Sequence, residues 1–114
     1  MALIKDEKEG VTIIKIENDR LDSLITSDLK AELLLSVDSG SNKILMDVSQ
    51  VVYADSSGLG ALLFGVRQLQ NVGGQMKLLG ANRKVSNLIK IARLDDRLPN
   101  YEEMETALAS FQDD

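Results

Sequence analysis

The sequence predicts an α/β fold with a mixed, largely parallel sheet of about four to five strands and about four helices, and three observations carry that prediction. Short apolar runs rich in β-branched residues alternate with stretches whose apolar residues recur at helical spacing, as strands joined by helical crossovers do. Glycines stand where the helical stretches stop, at Gly40 and at Gly73-Gly74. The run "KILMDV", residues 43–48, is apolar almost throughout, which suits a strand covered on both faces.

The elements follow in order. "VTIIKIE" (11–17) reads as a strand closed by the polar "NDR", and a shorter strand at 2–5 precedes it. From Thr26 the period changes: Ile25, Leu29, Leu33 and Val37 mark helix one, stopped at Gly40. After the strand at 43–48, helix two carries Leu59, Leu62, Leu63, Val66 and Leu69. On a helical wheel Leu59, Leu63, Val66 and Gln70 cluster while Ala61, Phe64 and Gln68 lie opposite, which places Phe64 outside the main core. "QMKLLG" (75–80) is the next strand, and Asn82 is positioned to cap a third helix with Val85, Leu88, Ile89 and Ala92 on one face. Asn100 with Glu103 reads as a capping box for a last helix striped by Tyr101, Met104, Leu108 and Phe111. No repeat, linker or low-complexity tract interrupts residues 1–114, so one domain is expected.

Composition narrows the function. The chain of 114 residues is 44% hydrophobic and 27% charged, the balance of a chain that buries a core. Its net charge of −5 argues against nucleic acid or an anionic membrane as the main partner. With no cysteine and no histidine, disulfides and ordinary zinc sites are excluded, and no metal or other cofactor is expected. The segment "MALIKDEKEG" has no apolar core of signal length, so a cytoplasmic location is expected.

The stretch "ADSSGLGALLFG" (54–65) joins the strand at 43–48 to helix two, at the sheet edge where α/β folds collect their ligands. The loop "NDRLDS" after the preceding strand is expected near it. As structural residues, Asp55, Ser56 and Ser57 would cap the helix, each cap being worth about 1 kcal/mol. Gly58 and Gly60 need more, since a helical glycine costs about 0.5–1 kcal/mol against alanine; they imply that another backbone or a partner comes close. A serine nucleophile needs a base, and neither a histidine nor the glycine spacing of a nucleophile elbow is present, so no enzyme activity is expected. A phosphate-binding loop lacks its lysine. What remains is a serine that is itself modified: a phosphate at a helix start is held by amide groups and the helix dipole, while its charge repels a docked partner. Spacing alone leaves open whether Ser56 or Ser57 is that serine.

"MDVSQVVYADSSGLGALLFG" followed by "NVGGQMKLLGAN" resembles the core signature of STAS domains, and specifically of bacterial anti-sigma factor antagonists. The resemblance spans most of the chain and rests on Asp-Ser-Ser-Gly-Leu-Gly between a strand and a helix. It implies a small soluble switch that binds an anti-sigma factor serine kinase and releases a sigma factor. It further implies that phosphorylation of Ser56 by the kinase turns the switch off and that a PP2C-type phosphatase restores it. Asp22 carries over with it as a contact, and Asp55, Ser57, Gly58 and Gly60 around the acceptor are expected to bind the partner. Phe64, which the wheel sets outside the main core, is either covered by helix one or helix three or is an exposed aromatic anchor for the kinase, and Ser57 is then the helix cap. Asp19-Arg20 departs from the family's usual glycine and acid before Leu21-Asp22, so Arg20 alters the expected partner surface.

Two other readings belong to other classes. STAS domains also serve as scaffold or transport-complex subunits that no kinase touches. A receiver domain would take phosphate on Asp47, but Asn18-Asp19 is a poor magnesium pair and no lysine follows "QMKLLG". Arg83, Lys84, Lys90 and Arg93 give helix three a mild basic run, a solvated face or a steering surface for an acidic partner.

Overall fold

The computed structural model describes residues 2–112. Its centre is three parallel strands, β2 (Val11–Ile16), β4 (Lys43–Asp47) and β6 (Gln75–Leu79), in register at Ile14, Met46 and Leu78. β1 (Leu3–Lys8) joins one side antiparallel to β2, and the short β7 (Asn100–Tyr101) joins the other side parallel to β6. The result is the expected mixed, largely parallel sheet, in the order β1-β2-β4-β6-β7. A separate two-stranded parallel ladder pairs β3 (Arg20–Leu21) with β5 (Tyr53–Ala54).

Alternate residues of each central strand serve different layers, which is why the strands read as continuous apolar runs. Ile14, Ile16, Ile44, Met46, Met76 and Leu78 face α1 (Thr26–Asp38), α2 (Ser56–Asn71) and α3 (Arg83–Ile91) in the larger core. Val11, Ile13, Leu45 and Leu79 meet Ala107, Leu108 and Phe111 of α4 (Met104–Gln112) on the opposite face. Lys77 belongs to that second face and is only 6% exposed. Its Nζ donates to Ser110 Oγ at 2.9 Å and lies 4.6 Å from the centre of the Phe111 ring, so its charge is solvated by a hydroxyl and an aromatic face.

Two sequence expectations are corrected. The buried stripe of α2 is Gly58, Ala61, Leu62, Gly65, Val66 and Leu69, so Ala61 is interior while Gln70 is exposed. The reason is steric: a Cβ at Gly65 would overlap Met76 and crowd Leu33 of α1, so small residues mark where α2 lies closest to its neighbours. A wheel weighted by side-chain hydrophobicity misses that. The capping box at Asn100 is also absent. Asn100 lies in β7, and its Oδ1 accepts from the Ala81 amide at 3.0 Å, fastening the loop after β6.

Candidate functional site

Three loops leave the carboxyl ends of β2, β4 and β6 at the same edge of the sheet, and backbone hydrogen bonds weld them together. Val48 N donates to Leu79 O at 2.9 Å, Val52 N to Asp19 O at 2.8 Å and Asp55 N to Leu21 O at 3.2 Å. Asn82, the N-cap of α3, accepts from Val85 N at 2.9 Å and donates through Nδ2 to the carbonyls of Val51 and Val52, at 3.3 and 3.0 Å. The predicted cap is present, and the same side chain braces the loop that leads to the serines.

α2 starts from this platform. Asp55 is its N-cap, in extended backbone, and Oδ1 accepts from the Gly58 amide at 3.0 Å. The same oxygen accepts the Ser57 hydroxyl at 2.6 Å. The cap is therefore Asp55, and the expectation that Ser57 caps the helix is corrected: the Ser57 hydroxyl donates to the cap. The physical reason is charge, because a carboxylate at a helix start accepts better than a hydroxyl and gains from the dipole. The Ser57 hydroxyl and then the Gly58 amide hold the Asp55 carboxyl below its ordinary range, outweighing the opposing effect of burial.

Ser56 differs from its neighbour. It occupies the first position of α2, its side chain is exposed, and its hydroxyl has no hydrogen-bond partner among the described residues. Of the two serines that spacing left equivalent, one is held by the cap and the other is presented to solvent.

The two glycines also separate. A Cβ at Gly58 would overlap the Leu21 carbonyl, so the close backbone approach expected for this turn is made by β3. Apart from its own stretch of helix, no described residue lies within 4 Å of a Cβ placed at Gly60. Asp22 follows Leu21, and its Oδ1 accepts from Leu24 N at 3.1 Å, turning the chain into α1 beside the start of α2. Phe64 lies further along α2, partly buried against the larger core, with Lys30 Nζ of α1 over its ring at 6.0 Å. It is a flank residue between core and solvent. Asp47, the residue considered as a receiver's phosphate acceptor, is 8% exposed, with Oδ1 accepting from both the amide and the hydroxyl of Ser49.

Sequence reasoning did not find Tyr53. It is 47% exposed on β5, opposite Arg20, whose guanidinium carbon lies 5.6 Å from the centre of its ring. The two-residue ladder gives no periodic signal; the only hint is an aromatic residue two positions before the Asp-Ser-Ser motif. Among the described residues no cluster of acidic side chains is arranged to hold a metal, and no helix is long and apolar enough to cross a membrane.

Comparison with known proteins agrees with this architecture. A Bordetella bronchiseptica protein, provisionally named the anti-sigma factor antagonist BtrV, is 28% identical over 112 residues, which cover 98% of this chain and 96% of its own. A Thermotoga maritima protein, provisionally described as an anti-sigma factor antagonist, superposes with a TM-score of 0.86 at 21% identity over 96% of this chain and 94% of that one. The anti-sigma factor antagonist SpoIIAA in its unphosphorylated form gives 0.76 at 18% identity over 96% of each chain. Its phosphorylated Bacillus form gives a TM-score of 0.75 at 20% identity, over 92% of this chain and 96% of that one. The family model of the STAS domain matches residues 2–107, and the chain belongs to that family.

Proposed function

We propose that this protein is an anti-sigma factor antagonist switched by phosphorylation of Ser56. In the unphosphorylated state the start of α2 docks on an anti-sigma factor that is also a serine kinase, and docking releases the sigma factor. The kinase phosphorylates Ser56, the complex separates, and a PP2C-type phosphatase resets the switch. The protein acts by binding in the cytoplasm and has no catalytic role of its own.

The observation that carries this reading is the division of labour between the serines: Ser57 donates to Asp55 at 2.6 Å, while Ser56 is exposed beside the same carboxylate. A phosphate at Ser56 would lie at the positive end of the α2 dipole, which is why the fold tolerates it. The added charge of about −1.5 to −2 meets the Asp55 carboxylate and any partner group docked there, so the interface does not tolerate it. The relatives named for this role, and SpoIIAA solved with and without phosphate, support the reading. The open space at Gly60 leaves room for a partner to approach the backbone of α2, and Asp22, Gly58 and Phe64 flank that approach.

The test is a pull-down with wild type, Ser56→Ala and Ser56→Asp as baits, with Ser57→Ala as control. An ATP-binding serine kinase retained by wild type and Ser56→Ala and lost from Ser56→Asp establishes the switch. Equal recovery on all baits replaces it with a scaffold that no kinase regulates.

A further inference from the structure

Two features remain outside this switch: Arg20, which departs from the family pattern, and the basic opening of α3. The fold brings them to opposite sides of one exposed strand. In the β3–β5 ladder, Leu21 pairs with Ala54 and Arg20 with Tyr53. Leu21 is fully buried and Ala54 packs on the larger core, so the Arg20–Tyr53 pair forms the outward face, with cation and ring stacked. On the other side of β5, the hydrogen bonds from Asn82 to Val51 and Val52 bring up the first turn of α3, where Arg83 and Lys84 are exposed. Between these cations Val52 is 55% exposed and Tyr53 47%.

Asp19, Asp22 and Asp55 lie nearby and keep their charge, since accepting from the Leu24 or Gly58 amide does not neutralise a carboxylate. Yet among the described residues none of the three cations forms an ion pair with them, so the donors of Arg20, Arg83 and Lys84 are free for a partner. An arginine stacked on an exposed tyrosine is a common interface anchor: the ring offers apolar area with little entropy to lose, and the guanidinium fork receives a carboxylate through two parallel bonds.

We infer that the outward face of β3–β5, together with the start of α3, docks an acidic segment of the partner. A carboxylate of that segment pairs with Arg20, further acids face Arg83 and Lys84, and an apolar side chain rests on Val52 and Tyr53. The identity of the partner rests on the antagonist reading above; the surface adds the chemistry by which this chain selects its own anti-sigma factor over those of related chains. It also supplies a means of release. Tyr53 precedes Ser56 by three positions, so a phosphate on Ser56 lies beside the docked acidic segment and repels it.

The experiment titrates the 15N-labelled chain with a synthetic peptide of alternating glutamate and leucine, and in parallel with single-stranded DNA. Expected are amide shifts centred on Arg20, Val52, Tyr53 and Arg83. Affinity should fall roughly tenfold or more in Arg20→Glu and in the Arg83→Glu/Lys84→Glu pair, and should fall in Ser56→Asp, with the effects shrinking as salt is added. Shifts centred elsewhere, unchanged binding by Arg20→Glu, or the same pattern with DNA overturn the proposal. The variants lie on the exposed surface, and a thermal melt confirms that each is folded. Used as baits, they separate the two readings. A kinase recovered equally by wild type and Arg20→Glu overturns the acidic docking surface and leaves the antagonist standing. The peptide pattern with no kinase on any bait keeps the surface and removes the antagonist.

Discussion

Helices α2 and α3 begin in the same way and put that beginning to different uses. Each starts from a residue in extended backbone whose side chain accepts from the amide three positions on, Asp55 from Gly58 at 3.0 Å and Asn82 from Val85 at 2.9 Å. At α3 the cap is a neutral amide, and its remaining donor is spent on the carbonyls of Val51 and Val52. At α2 the cap is a carboxylate, the Ser57 hydroxyl is spent on it, and a third side chain, Ser56, faces solvent. The α3 start is a brace. The α2 start is a display, and what it displays is held in place by the brace next door.

The comparison can be broken most forcefully at Gly58. Gly58→Ala drives a methyl group into the Leu21 carbonyl and should cost about 3 kcal/mol, read as a fall in the midpoint of denaturant unfolding. Gly60→Ala, two positions later and in open space, should stabilise by about 0.5 kcal/mol, and a loss of stability there would mean that the two glycines are alike after all. Next in size is Asn82→Ala, which removes a cap and two loop hydrogen bonds and should cost about 2 kcal/mol. Faster hydrogen exchange at Val52 and Tyr53 in this variant would identify the brace; unchanged exchange would reduce Asn82 to a cap alone.

Asp55→Ala tests the charged cap through pH. Because the Asp55 carboxyl titrates below its ordinary range in the folded chain, folding favours the carboxylate. Its contribution is complete above the unfolded value of about 3.9 and is lost as pH falls through the lower folded value. The variant should melt a few degrees below wild type at neutral pH, and the gap should close as the solution is acidified below pH 4 or so. A gap that persists in acid would assign the loss to packing. The smallest effect is expected at Ser56→Ala, within about 0.5 kcal/mol of wild type, since nothing in the fold depends on that hydroxyl. A larger loss would remove the distinction between display and brace.

Much of this was legible in the chain, and the limits have physical causes. The central strands and the spans of the first three helices follow from apolar runs, helical period and glycine stops, and the Asn82 cap from a side chain of the right type one position before α3. What escaped depends on contacts between distant residues. The interior stripe of α2 is set by Gly58, Ala61 and Gly65, which carry little hydrophobic signal and mark closeness instead. Asn100 makes a credible cap by local chemistry, but pairing with β6 and the amide of Ala81 claims it. The β3–β5 ladder is two residues per strand, too short for any period to show. Of the site, the motif, the acid and the serine pair were visible. That Asp55 rather than Ser57 is the cap required the geometry, because both residue types favour that position.

The strand β1 carries a consequence of another kind. Among the described residues it pairs with β2 alone, and Lys5, Asp6, Glu7 and Lys8 along it are all exposed, so one long margin of the sheet is lined with charges of both signs. Two copies brought margin to margin would have to crowd and partly desolvate those charges, which opposes the growth of the sheet from molecule to molecule into fibres. The chain can in this way reach high concentration without polymerising.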